Sequence, residues 1–108
     1  MICVTLGFPT FAELLAEQRR LLGAGVPLVE WRLDHLTETI DVAAAVRSRP
    51  GPIVVTIRRP EDGGKWTGDE TRRRDMLRAA IEAGAEFVDC EPDAAPHLPR
   101  NPATRRIV

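Results

Sequence analysis

Four short β-branched runs begin near residues 2, 28, 53 and 86, and in each the polar side chains share one parity and the apolar ones the other. Successive side chains on a strand point to opposite faces. Val29, Trp31 and Leu33 therefore share one face of the second run, and Glu30, Arg32 and Asp34 share the other. The same rule sets Ile2, Val4 and Leu6 against Cys3 and Thr5, Val55 and Ile57 against Thr56 and Arg58, and Val88 and Cys90 against Asp89 and Glu91. The runs lie roughly 25 to 33 residues apart, the size of one strand plus one helix. Strands alternating with helices predict a parallel sheet. An open sheet with helices on both faces would bury these charges at high cost. A barrel resolves the conflict, with helices outside and polar side chains inside. The expected fold class is α/β, a partial (β/α)8 TIM barrel with parallel strands. A full barrel needs about 250 residues, so this chain corresponds to about four βα units.

Local signals place the elements between these strands. Thr10-Phe11-Ala12-Glu13 has the form of a capping box, followed by Leu14, Leu15, Leu21 and Leu22 near helical spacing and by Gly23 and Gly25 as a stop. Strand two is expected over Leu28 to Asp34. A weaker helix starts at Thr39 or Asp41 and ends at Pro50-Gly51-Pro52. Strand three covers Ile53 to Arg58, and Arg59 to Gly68 forms a polar loop containing Gly63-Gly64. Thr67-Gly68-Asp69-Glu70 is a second capping box, opening a helix that buries Met76, Leu77, Ala80 and Ile81 and ends at Gly84. Within it, Arg72-Arg73-Arg74 is expected to be a solvated face. Strand four spans Glu86 to Glu91, a proline-rich connection follows, and Arg105 to Val108 begins a fifth strand. Residues 1–108 are expected to form one partial barrel domain.

Composition excludes several roles. A net charge of −1 provides no general field for nucleic acid or anionic membrane. No apolar run approaches the length of a membrane-spanning helix, and Met1 to Leu6 lacks the basic start of a signal peptide. A cytoplasmic protein is expected. Cys3 and Cys90 are expected to be buried, reduced thiols. Neither they nor His35 and His97 have metal-ligand spacing, so no metal or cofactor is expected. Lys65 is the one lysine among 15 basic residues. Gly63-Gly64 lacks a phosphate-binding context and is expected to form a flexible substrate-site loop.

The charges of strand two permit two meanings. Glu30 and Arg32 can be a structural ion pair, as paired buried charges commonly are, or they can line a site. Arg58 alone reads as a surface or ion-pair arginine. Functional groups of parallel α/β folds gather at the C-terminal ends of strands, which is where these residues fall.

Four segments then carry a resemblance. Ile2-Cys3-Val4-Thr5-Leu6, Val29 to His35, Thr56-Ile57-Arg58 with Asp62-Gly63-Gly64, and Phe87-Val88-Asp89-Cys90-Glu91 together resemble the first half of type I 3-dehydroquinate dehydratase, in order and spacing. The resemblance implies a shikimate-pathway lyase that removes water from 3-dehydroquinate through a lysine Schiff base and a histidine acid/base. An iminium is a better electron sink than a ketone, so the adjacent carbon loses its proton more readily, and histidine moves protons near neutral pH. It also implies that Glu30, Arg32, Arg58 and Thr5 contact substrate. Asp62 stands where the family has a glutamate that orients the histidine, with Glu61 beside it. Asp34, Thr56, Asp89 and Glu91 are expected to orient or support. The catalytic histidine and lysine segments fall beyond Val108, and Lys65, His35 and His97 do not match them. The 108 residues are therefore expected to be inactive or nearly so alone. The expected partners are the small-molecule substrate and either a second copy or a complementing C-terminal half, possible because a half barrel leaves two sheet edges and an apolar rim open. Nucleic acid and membrane are not expected. Two other readings are a non-catalytic α/β binding module with an anion site at Arg32 and Arg58, and a different Schiff-base aldolase barrel, which the four segments disfavour.

Overall fold

A computed structural model describes residues 2–108; Met1, the first residue of the expected domain and N-terminal segment, lies outside the described residues. The chain runs β1 (Cys3–Leu6), α1 (Phe11–Gly23), β2 (Leu28–Arg32), α2 (Val42–Arg47), β3 (Ile53–Thr56), α3 (Glu70–Glu82), β4 (Phe87–Asp89) and β5 (Arg105–Ile107), with short 3-10 turns after β2, β3 and β4. All five strands are parallel and stand in chain order. Parallel crossovers are right-handed almost without exception. Strands that always step in one direction therefore send every helix to the same face. This is the winding of a barrel wall, and it leaves the other face free of helices.

The parity read from the sequence fixes which residues each face receives. Leu6, Val29, Trp31, Ile53, Val55 and Val88 form the helix-side core with Leu14, Val46, Leu77, Ala80 and Ile81. The pairings Thr5 with Glu30 and Arg32 with Thr56 set the polar residues of adjacent strands side by side.

Local chemistry explains most helix boundaries. Thr10 accepts from the Glu13 amide at 3.2 Å, and its hydroxyl donates to the Glu13 carboxylate at 2.8 Å, which starts α1 as a cap should. Asp41 caps α2 through the Ala44 amide at 3.1 Å. At α3 the cap is Asp69, which accepts from the Arg72 amide at 2.7 Å. The expected Thr67 box is displaced by two residues, because an ionised carboxylate next to the first turn also favours the positive helix end.

Several expectations are corrected. Strand two stops at Arg32, and Leu33–His35 winds into a 3-10 turn that removes Asp34 from the strand alternation. Cys3 is exposed, because the strand face carrying it has no helix cover; Cys90 is buried as expected. Arg73 is not solvated: it is fully buried on α3. It donates five hydrogen bonds, two to Glu70, two to Glu91 and one to the Ile57 carbonyl. Helical periodicity turns the middle residue of the Arg72–Arg74 run inward where two carboxylates receive it. Glu91 consequently leaves the polar strand face and joins α3. The Gly63-Gly64 loop makes a close backbone approach. A Cβ on Gly64 would stand 2.0 Å from the Arg58 carbonyl oxygen, and Gly63 has φ of +85°, a region that glycine enters without strain. No helix among the described residues is long and apolar enough to cross a membrane.

Candidate active site

The helix-free face carries Thr5 on β1, Glu30 and Arg32 on β2, Thr56 on β3 and Asp89 on β4. Glu30 is the centre of this wall. Its two carboxylate oxygens accept from the hydroxyls of Thr5 on β1 at 2.8 Å and Thr56 on β3 at 2.6 Å. One strand position thus collects a donor from each neighbour, and the carboxylate is fixed in orientation without a cationic partner in hydrogen-bond contact. Thr56 is buried and Thr5 exposed, so Glu30 is anchored from below and open toward the first strand.

Arg32 lies one pleat further along β2. Its Nε and Nη2 donate to the two oxygens of Asp34 at 3.0 and 2.9 Å. The Glu30–Arg32 ion pair that the sequence offered as a structural alternative does not form among the described residues: Arg32 pairs with Asp34, and Glu30 is held by two hydroxyls instead. Arg58 follows β3 and donates from Nη2 to Asp89 at 3.0 Å. Nη1 of Arg32, and Nε and Nη1 of Arg58, make no hydrogen bond within the described residues. The wall thus offers one carboxylate and two guanidinium groups with donors still to satisfy, a set suited to a polyhydroxylated carboxylate ligand.

Asp34 sits behind this wall with a fully buried side chain. Beyond Arg32 it accepts from the Lys65 amide at 2.9 Å, so it ties the strand-two arginine to the loop after β3. Burial alone would raise its pKa. The Arg32 fork and the amides of Lys65 and Arg58 outweigh burial and hold the carboxyl below its ordinary value. A depressed folded pKa gives stability that is present above the unfolded value of about 3.9 and is lost as pH falls through the folded value. Asp34→Asn is expected to cost about 2 kcal/mol at pH 7, as for hydrogen bonds to a buried charge, and to flatten the acid-side loss. Urea midpoints from pH 7 to pH 2 check this; an unchanged acid limb in the variant would contradict it.

The remaining expected residues fall elsewhere. Asp62 lies in the 3-10 turn after β3 and binds Arg59 at 2.9 Å, and Arg59 also binds Asp93 at 2.9 Å. Glu91 belongs to the Arg73 cluster. Sequence reasoning missed Gln18 and Arg73, both polar and buried. The signal for Gln18 was its place four residues after Leu14 on the buried face of α1.

Comparisons with known proteins identify the family to which this fold belongs. The family described as type I 3-dehydroquinase matches residues 2–105. The chain belongs to that family. It is 34% identical over 113 aligned residues to the 3-dehydroquinate dehydratase of Methanopyrus kandleri, covering 100% of this chain and 52% of that protein. It is also 34% identical over 94 residues to the chloroplastic bifunctional 3-dehydroquinate dehydratase/shikimate dehydrogenase of Arabidopsis thaliana, covering 84% of this chain and 16% of that one. The crystal structure of 3-dehydroquinate dehydratase from Geobacillus kaustophilus superposes with a TM-score of 0.73 at 25% identity, over 88% of this chain and 41% of that chain. As a 3-dehydroquinase relative, the chain spans about half or less of the length of these proteins. The five-stranded wall is thus a barrel portion, as the strand parity and winding indicate. Family membership disfavours the binding-module and aldolase readings.

Proposed function

We propose that residues 1–108 form one partial barrel domain of a 3-dehydroquinate dehydratase, and that its helix-free face holds 3-dehydroquinate. The observation that carries this reading is Glu30, gripped by Thr5 and Thr56 beside two arginines with unsatisfied donors. Glu30 accepts hydrogen bonds from substrate hydroxyls. Arg32 and Arg58 donate to its hydroxyl and carboxylate oxygens. Asp34 and Asp89 hold those guanidinium groups in place, and Thr56 orients Glu30. Thr5 both supports Glu30 and lines the site. Asp62, committed to Arg59, orients a catalytic group only if that pair opens.

The reaction removes a proton from the carbon next to the ketone and hydroxide from the carbon beyond it, giving the enone 3-dehydroshikimate and water. In the covalent route implied by the resemblance, a lysine forms an iminium with the ketone and a histidine moves the protons. Lys65 stands in the loop after β3, His35 in the turn after β2 and His97 in the turn after β4, and none of them matches the catalytic lysine or histidine that the resemblance implies. The domain works in the cytoplasm, with a second copy or a complementing C-terminal half covering its open face. Incubating 3-dehydroquinate with the purified chain is expected to produce no enone absorbance, and adding a relative's C-terminal half is expected to restore it. Steady enone formation by the 108 residues alone would sink this division of labour.

A further inference from the structure

At the C-terminal mouth, beside the wall rather than on it, lies a second cleft. It has a volume of about 490 Å³ and is bounded by the turns after β1 and β2 and the loop after β3. Three observations distinguish it. The first is charge: Lys65 faces the cleft and has no acidic partner within 4.0 Å among the described residues, whereas Arg32, Arg58 and Arg59 are all paired. The second is how the site is held. The Lys65 backbone is pinned by its amide to buried Asp34, and His35 packs so closely on Gly7 that a Cβ there would meet Nδ1 at 2.5 Å. The cleft therefore depends on a glycine at the end of β1. The third is its wall, where Phe8 and Leu36 provide apolar surface and Thr67 a hydroxyl.

We propose that this cleft binds a small carboxylate with an apolar body, the carboxylate on Lys65 and His35 and the carbon skeleton against Phe8 and Leu36. Burial lowers the imidazole pKa, Asp34 pulls it up, and Arg32 and Lys65 push it down, with a net lowering. His35 is thus a neutral hydrogen-bonding group at pH 7, and Lys65 carries the uncompensated charge. Asp34 lies 3.9 Å from His35 Nε2, but both its oxygens are already engaged by Arg32. The proposal does not depend on the dehydratase reading, since none of these groups holds 3-dehydroquinate in that reading.

Benzoate is the probe. Titrated into the uniformly nitrogen-15-labelled chain, it is expected to shift the Gly7, His35 and Lys65 amides saturably while leaving Thr5 and Glu30 unmoved. Lys65→Met is expected to weaken binding at least about tenfold, Lys65→Arg to retain it, and Arg58→Ala to leave it unchanged. Benzylamine, of the same shape and opposite charge, is expected not to bind. Absence of saturable shifts, shifts confined to the Glu30 wall, undiminished binding by Lys65→Met, or equal binding of benzylamine would each overturn the proposal.

Discussion

Arg73→Ala is expected to destabilise the domain by about 3 to 5 kcal/mol, the range for breaking a buried ion pair from one side. Arg73 is fully buried, and its guanidinium ties the first turn of α3 to the Ile57 carbonyl beyond β3 and to Glu91 beyond β4. Removing it releases three segments at once and takes the guanidinium from Glu91, while Glu70 keeps Arg74 at 3.0 Å. Burial opposes its charge, but the two carboxylates prevail and raise its pKa, so it remains charged throughout the accessible pH range. Domain stabilities are only about 5 to 15 kcal/mol, so the loss is a large fraction of the total. Lysine would retain charge but cannot reproduce a fork that makes five bonds. Urea unfolding by circular dichroism measures the effect; a cost below about 1 kcal/mol would mean that the cluster is solvated.

Trp31→Ala is expected to cost a similar 3 to 5 kcal/mol, roughly the value for removing a large aromatic from a core. Trp31 is fully buried on the helix side of β2. Its ring meets Phe11 edge-on at 5.1 Å, and its indole N–H donates to Gln18 at 2.8 Å. The variant therefore creates a cavity and also strips a buried amide of its partner, itself a cost of about 1 to 3 kcal/mol. Trp31→Phe retains most of the volume and loses the hydrogen bond, so it should fall between wild type and alanine. Joining it with Gln18→Leu should recover stability, because both polar partners then disappear together. Failure of that recovery in denaturant midpoints would assign the loss to packing alone.

Arg73 also shows where sequence reading reached its limit. Within Arg72-Arg73-Arg74 composition says only that charge is present. Which arginine turns inward depends on the rotation of α3, and what it meets depends on Glu91, a distant residue that leaves its strand. The turn that takes Asp34 off its strand escaped for a related reason. Strict alternation continued through Asp34 in the sequence, while the chain had already turned at Leu33. Cys3 was assigned to a core by residue type, although its parity placed it with Thr5 on the face without helices. The wall itself was legible. Thr5, Glu30 and Thr56 share a parity on three adjacent strands, and period-two geometry forces such residues together once the strands are parallel and in order. The pairing of Arg32 with Asp34 rather than Glu30 was not legible, because it requires the 3-10 turn.

The role proposed for the Glu30 wall is to hold 3-dehydroquinate without transforming it. Residue-resolved nuclear magnetic resonance titration of the labelled chain with 3-dehydroquinate tests it most directly. Saturable shifts are expected at Thr5, Glu30, Arg32 and Arg58, with the ligand recovered unchanged. Shifts absent from those four residues, or conversion of the ligand to the enone during the titration, would contradict it.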